Sequence, residues 1–324
     1  IVALFAAQTV FAARVWTDEI GVYEHALAGT PEAPLLWANL GAAYRRADRL
    51  DDALDALQRA AEVNARTHSA DATAIYNNLG TTLATRGQLE DALAAFDRAL
   101  ATGKQTDRVQ FNRGEALRLL GRPAEALAAY DAALAGNADY LDPRLRRAEL
   151  NMSRRHTAEA AADLREVLRR DAGNAEALAG LGHVARGEGR LAEAADDFEK
   201  SLARRPDDVN IRMALGGVRG QMGNFRGAAA AFGRVREVAP DYATAYAALA
   251  AALFRGGDRS GASEILRDAS ARFPDNVDVL LAQLNFDYES GDRDAARASL
   301  ERLMKLAPDH PQVRRYAAEL MGAP

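Results

Sequence analysis

Apolar and polar positions follow one another along the chain with helical spacing, and that pattern itself recurs every 34 residues. Asn78-Leu79-Gly80, Asn112-Arg113-Gly114, Gly180-Leu181-Gly182 and Ala214-Leu215-Gly216 each stand shortly before a loop. Gly80 and Gly114 are 34 residues apart, two further periods reach Gly182, and one more reaches Gly216. A second signature follows each loop: Ala92, Phe96, Ala99; Ala126, Tyr130, Ala133; Ala194, Phe198, Ser201; Ala228, Phe232, Val235. Pro206, Pro240, Pro274 and Pro308 recur at a single phase. The spacing predicts two helices per unit, helix A over about positions 2–14 and helix B over about 18–30. Small residues at positions 8 and 20 let the two backbones approach, and large ones at 4, 7, 11 and 24 fill the space around them. Glycine near position 15 (Gly87, Gly121, Gly189, Gly223, Gly257, Gly291) can take positive φ and end helix A, and proline at 32 stops helix B.

These residues resemble the tetratricopeptide repeat (TPR) family, whose unit carries Leu-Gly at positions 7 and 8, Ala at 20, an aromatic at 24, Ala at 27 and Pro at 32; Trp37, Leu40, Gly41, Tyr44, Ala53, Leu57 and Ala60 are a close match. The resemblance implies an all-α, right-handed solenoid in which stacked units share a core and present a concave inner surface. Eight units are expected: 34–67, 73–106, 107–140, 141–174, 175–208, 209–242, 243–276 and 277–310, with an insertion at 68–72. Residues 311–324 read as a capping helix and 1–33 as entry helices. In the fourth unit Arg155 replaces the loop glycine, and Asp142-Pro143 reads as an N-cap followed by proline. The sixth unit places Gly216, Gly217 and Gly220 along one helix before Gly223, which makes its helix A a candidate soft point, the alternative being sequence drift compensated by the neighbouring units.

At the N-terminal side, Ile1 to Ala13 is apolar apart from Gln8 and Thr9, too short to span a bilayer. The stretch from Arg14 through Trp16 to Glu19 is similar to the junction at which a last membrane helix enters C-terminal repeats in the transmembrane-and-TPR O-mannosyltransferase group. Two readings stay open: a degenerate helix A, or the last turns of a membrane helix, with attachment through 1–16 and Arg14 and Trp16 at the interface. The second would make the chain the extracytoplasmic repeat domain of a multi-spanning glycosyltransferase-like protein. A purely structural spacer is a further alternative.

Composition narrows the function. Of 324 residues 48% are hydrophobic but only 6% aromatic, alanine dominating, as close helix packing requires. Lys+Arg is 41 against Asp+Glu 46, a net charge of −5, which argues against a nucleic-acid partner. Cysteine is absent, so disulfides, thiol catalysis and cysteine-ligated metals are excluded. Arginine carries nearly all the positive charge, with only Lys104, Lys200 and Lys305, a bias associated with GC-rich bacterial genomes; cytoplasm and periplasm both remain open. The five histidines fall in different units, no His-Glu-x-x-His or Gly-x-Ser-x-Gly motif occurs, and glycine-rich Gly182–Gly189 lies in a helical repeat without a strand before it. No catalytic, cofactor or metal site is therefore expected.

What remains is the groove. The family resemblance implies a lining by helix A positions 2, 5, 6, 9, 12 and 13, and position 6 reads Asn39, Asn78, Asn112, then Arg146. A carboxamide offers both donor and acceptor, so repeated asparagines resemble a ladder that holds an extended peptide backbone; the alternative is that asparagine simply tolerates a half-exposed position. Arg45, Asn77, Arg108, Arg118 and Arg146 surround the run and favour an acidic segment, although each arginine is as well served by an intramolecular ion pair. Ala38/Ala42 and Asn77/Thr81 do not supply the carboxylate clamp of chaperone-binding members. Units six to eight offer Met213, Gly217, Ala247, Ala251, Phe254, Asn285 and Tyr288, a smaller and more apolar surface suited to a side chain or a partner helix.

Overall fold

The computed structural model describes residues 18–104 and 106–322, and among these every regular element is an α-helix. The chain divides at Arg154/Arg155 into two compact bodies. The first holds α1 (Glu19–Gly29), α2 (Pro34–Arg46), α3 (Leu50–Thr67), α4 (Ala72–Thr85), α5 (Leu89–Leu100), α6 (Thr106–Leu119), α7 (Pro123–Gly136) and α8 (Leu141–Ser153). The second holds α9 (Thr157–Arg170), α10 (Ala175–Gly187), α11 (Leu191–Arg204), α12 (Val209–Gln221), α13 (Phe225–Val238), α14 (Ala243–Arg255), α15 (Arg259–Arg272), α16 (Val277–Ser290), α17 (Arg293–Leu306) and α18 (Pro311–Met321). The apolar segment with Arg14 and Trp16 lies outside the described residues. Among the described residues no helix is long and apolar enough to cross a membrane.

Five of the hairpins, those with glycine at position 8, are closed by one repeated contact. A methyl group in place of the Gly114 hydrogen would stand 2.5 Å from Cε1 of Tyr130, and on Gly182 it would stand 2.7 Å from Phe198. Gly80 meets Phe96, Gly216 meets Phe232, and Gly41 meets Leu57 in the same way. The position-8 glycine thus lets the position-24 ring lie directly on the helix backbone. Around it the buried side chains collect: Phe96, Leu117 and Tyr130 in the first body, Phe198, Leu215 and Val218 in the second. Each such side chain contributes roughly 1.5–3 kcal/mol by leaving water.

Caps and turns set the helix ends. In the second body Asn174, Asp208 and Asn276 accept backbone N–H bonds from Ala177, Ile211 and Val279 at 3.0–3.1 Å, starting α10, α12 and α16. The six loop glycines Gly87, Gly121, Gly189, Gly223, Gly257 and Gly291 all have positive φ. Where the unit lacks that glycine the backbone keeps the same conformation: Asp48 has φ 59° and Arg155 φ 64°. The loop geometry is imposed by the helices it joins, not by the glycine. Asp142 departs from its expected place. It is not an N-cap: α8 begins at Leu141 after Tyr140, and Asp142 sits inside the first turn beside Pro143, where a missing amide has no acceptor to lose.

Glycine roles separate experimentally along α12. Gly216 faces Phe232, whereas nothing lies within 4 Å of a methyl group on Gly217. Gly216→Ala is expected to destabilise by about 1–3 kcal/mol through overpacking. Gly217→Ala is expected to stabilise by about 1 kcal/mol through helix propensity. Urea denaturation of the two variants checks the pair; equal shifts would contradict the assignment.

Candidate functional site

In the first body α4 and α6 bring asparagines together across neighbouring units. Asn112 Nδ2 donates to Asn77 Oδ1 at 2.9 Å. Thr81 and Thr82 direct their hydroxyls back to the Asn77 and Asn78 carbonyls on their own helix, at 2.8 and 2.9 Å. Asn78 is half-buried on α4, and Asn39 is exposed on α2. Asn112, Thr81, Thr85, Glu115 and Leu119 line a shallow depression of about 230 Å³.

The arginines divide by partner. Arg118 donates twice to Glu115 on its own helix, at 3.3 and 3.0 Å, and those bonds raise its pKa above the ordinary value. Tyr130 donates its hydroxyl to the same carboxylate, so one acid ties α6 to α7. Arg146 pairs with Glu149 at 2.8 Å. Arg108 is exposed near the start of α6. Arg45 is half-buried with its Nε unpartnered; burial, with Arg46 beside it, holds its pKa below the usual arginine value. The asparagines and arginines named from sequence therefore share helix A surfaces, but Arg118 and Arg146 are already neutralised within their own helices.

In the second body α14, α16 and α18 enclose a cleft of about 480 Å³. Ala247, Ala251, Phe254, Leu281, Asn285 and Phe286 line it. Phe254 and Phe286 meet edge to face at 5.3 Å, and Tyr316 donates its hydroxyl to Asn285 Oδ1 at 2.6 Å. Ala247, Ala251, Phe254 and Asn285 were legible in the repeat phase. Tyr288 instead meets Tyr316 edge to face at 5.0 Å, and Met213 packs into the cluster around Phe232. Sequence reasoning missed Gln312 and Arg315, which the capping helix adds to the rim. The signal was present: α18 starts at the phase of another helix A, so these two occupy its positions 2 and 5.

His183 packs edge-on against Phe198 at 4.9 Å, and burial, with Arg186 nearby, pushes its pKa down. Among the described residues no three His, Asp or Glu side chains gather where they could hold a metal.

Comparison with known proteins places this architecture. Family models of the tetratricopeptide repeat match residues 32–105, then 77–140 and 145–209, and then 185–253 and 220–284. The chain belongs to the tetratricopeptide repeat family, and its fold is the all-α solenoid of that family. Proteins of this family bind protein or peptide partners, and the fold is generally a non-catalytic scaffold. Similar solved structures include a tetratricopeptide repeat protein from Parabacteroides merdae, 17% identical with a TM-score of 0.56 over 78% of this chain and 100% of that one. PilW, described as a type IV pilus biogenesis factor, is 21% identical with a TM-score of 0.57 over 66% and 99%. YrrB, described as a TPR protein with an unusual peptide-binding site, is 22% identical with a TM-score of 0.50 over 59% and 98%. None of the curated proteins matches the chain in sequence.

The tyrosine–carboxylate pairs carry a pH signature. Burial and then the Glu24 hydrogen bond push Tyr44 up to about 12, and burial with Glu115 raises Tyr130 further. A raised tyrosine pKa stabilises the folded state below the unfolded value near 10, and that contribution fades as pH climbs above it. Stability should therefore fall between pH 10 and 12, and Tyr130→Phe should flatten the fall. Denaturant midpoints across this range check it; an unchanged slope in the variant would count against the pairing.

Proposed function

We propose that the chain is a non-catalytic scaffold that holds an extended segment of a partner protein against its helix A surfaces. The observation that carries this reading is the Asn77–Asn112 amide pair. Once Asn112 Nδ2 has donated to Asn77 Oδ1, the Asn77 amide retains donors and the Asn112 oxygen retains its acceptor capacity. Donor and acceptor are then offered side by side from fixed positions, the arrangement a peptide unit requires. The pair locks both amides before a ligand arrives, which lowers the entropy lost on binding. Main-chain recognition of this kind does not read side chains, so it suits an extended segment of varied sequence. Asn39 and Asn78 extend the set along α2 and α4, and Arg45 and Arg108 give it the basic character that favours acidic segments.

The test is affinity capture from the source cells with wild-type chain and with Asn39, Asn78 and Asn112 all changed to alanine. Partners retained by the wild type are expected to be lost or reduced at least tenfold. A triple variant that keeps every partner overturns the reading.

A further inference from the structure

We infer that the hairpin of α12 and α13 is a hinge within the second body, about which the helices before it and those after it rotate as two blocks, and that Arg219 is its latch. The hinge does not depend on what the helix A surfaces hold. Its first mark is a break in the core. Buried side chains of α10, α11 and α12 form one cluster, which includes Ala185, Phe198, Leu215 and Val218. A separate cluster gathers Ala228 and Phe232 of α13 with Leu249 and Ala252 of α14. The two helices of this hairpin thus bury their side chains in different clusters. Elsewhere one cluster joins both helices of a hairpin: Leu117 with Tyr130 in α6 and α7, Ala185 with Phe198 in α10 and α11, Leu284 with Leu300 in α16 and α17. Met213 is the α12 side chain that reaches into the cluster of α13 and α14, and an unbranched thioether adapts when its neighbours shift. Phe232 lies on the bare Gly216 backbone, a contact without interlocking side chains that permits rotation where ridges set into grooves would resist it.

The backbone is weakened in the same place. Nothing lies within 4 Å of a methyl group on Gly217 or Gly233, and one on Gly220 would meet Ala228 at an ordinary 3.9 Å. Packing therefore requires none of these three glycines. Interior glycine weakens a helix relative to alanine, which favours local opening of α12 and α13 over opening of their neighbours. One polar side chain opposes that opening. Arg219 on α12 donates to Glu199 Oε1 on α11 at 2.7 Å and to the Gly227 carbonyl at the start of α13 at 3.3 Å. A guanidinium presents its donors in a rigid fork, so one side chain holds α12 to the helix on either side. Glu199 is half exposed, which leaves the latch open to screening by salt.

The test is hydrogen exchange of the full chain, read by mass spectrometry as protection helix by helix. In the wild type, α12 and α13 are expected to exchange at least about tenfold faster than α10, α11, α14 and α15. Gly217→Ala combined with Gly220→Ala should slow exchange in this hairpin by at least about fivefold and leave the flanking helices nearly unchanged. Arg219→Ala should speed it, and raised salt should speed it in the wild type but not in Arg219→Ala. Movement of the two blocks is read by electron–electron double resonance, since the chain has no cysteine of its own. Nitroxide labels at Ala203→Cys on α11 and Ala271→Cys on α15, both exposed, span the hinge, and labels at Ala271→Cys and Ala298→Cys on α17 do not. The spanning pair is expected to give the broader distance distribution, narrowed by the double glycine variant and widened by Arg219→Ala. Equal protection from α10 to α15, a glycine variant that slows every helix alike, or a spanning distribution no broader than the control overturns the hinge. Unchanged exchange in Arg219→Ala overturns the latch.

Discussion

Four of the hairpins depend on the contact between a glycine backbone in the first helix and a ring in the second. Gly114 against Tyr130, Gly182 against Phe198 and Gly216 against Phe232 leave no room for even one added carbon. Ring and backbone in direct contact bring the helices closer than two ordinary side chains would allow. That spacing fixes which residues of the first helix turn inward to the core and which are left on its opposite surface. Polar positions on that surface are consequently brought into register from one unit to the next, as Asn77 and Asn112 are across 35 residues of sequence. The proposed binding surface is a by-product of how the core is packed.

The hairpin contact was legible because it is written in residue size. A glycine sixteen residues before an aromatic, repeated at a fixed period, marks a ring seated on a bare backbone, and the helix-ending glycines mark where each first helix stops. Arg155 shows the limit of that signal: it holds the same left-handed backbone without being glycine. Helix starts were less legible, since capping depends on one residue's side-chain orientation, and Asp142 proved to be inside the helix it was expected to cap.

The polar surface was legible in place but not in state. Phase alone put Asn77, Asn112 and Arg118 on one face, yet not that Asn112 donates to Asn77 or that Glu115 takes both Arg118 and the Tyr130 hydroxyl. Such pairings depend on rotamers and on a neighbour three or fifteen residues away, and no periodicity encodes them. They decide the chemistry: an arginine already bonded to a carboxylate offers little net charge to a ligand, whereas one stacked only on a ring still does. In the second body the missed residues were those of α18, which a reading as cap alone leaves out of the lining although its phase places Gln312 and Arg315 there.

The central claim is that partners are held by the surfaces that the first helices leave free. Site-specific photo-crosslinking in the source cells tests it most directly. A photoreactive phenylalanine analogue is placed at Thr81 in the first body and at Ala251 in the second, and as a control at exposed Ala230 on α13. The account predicts discrete crosslinked partner bands from Thr81 or Ala251 and none from Ala230. Crosslinks from Ala230 with none from either helix A position would contradict it.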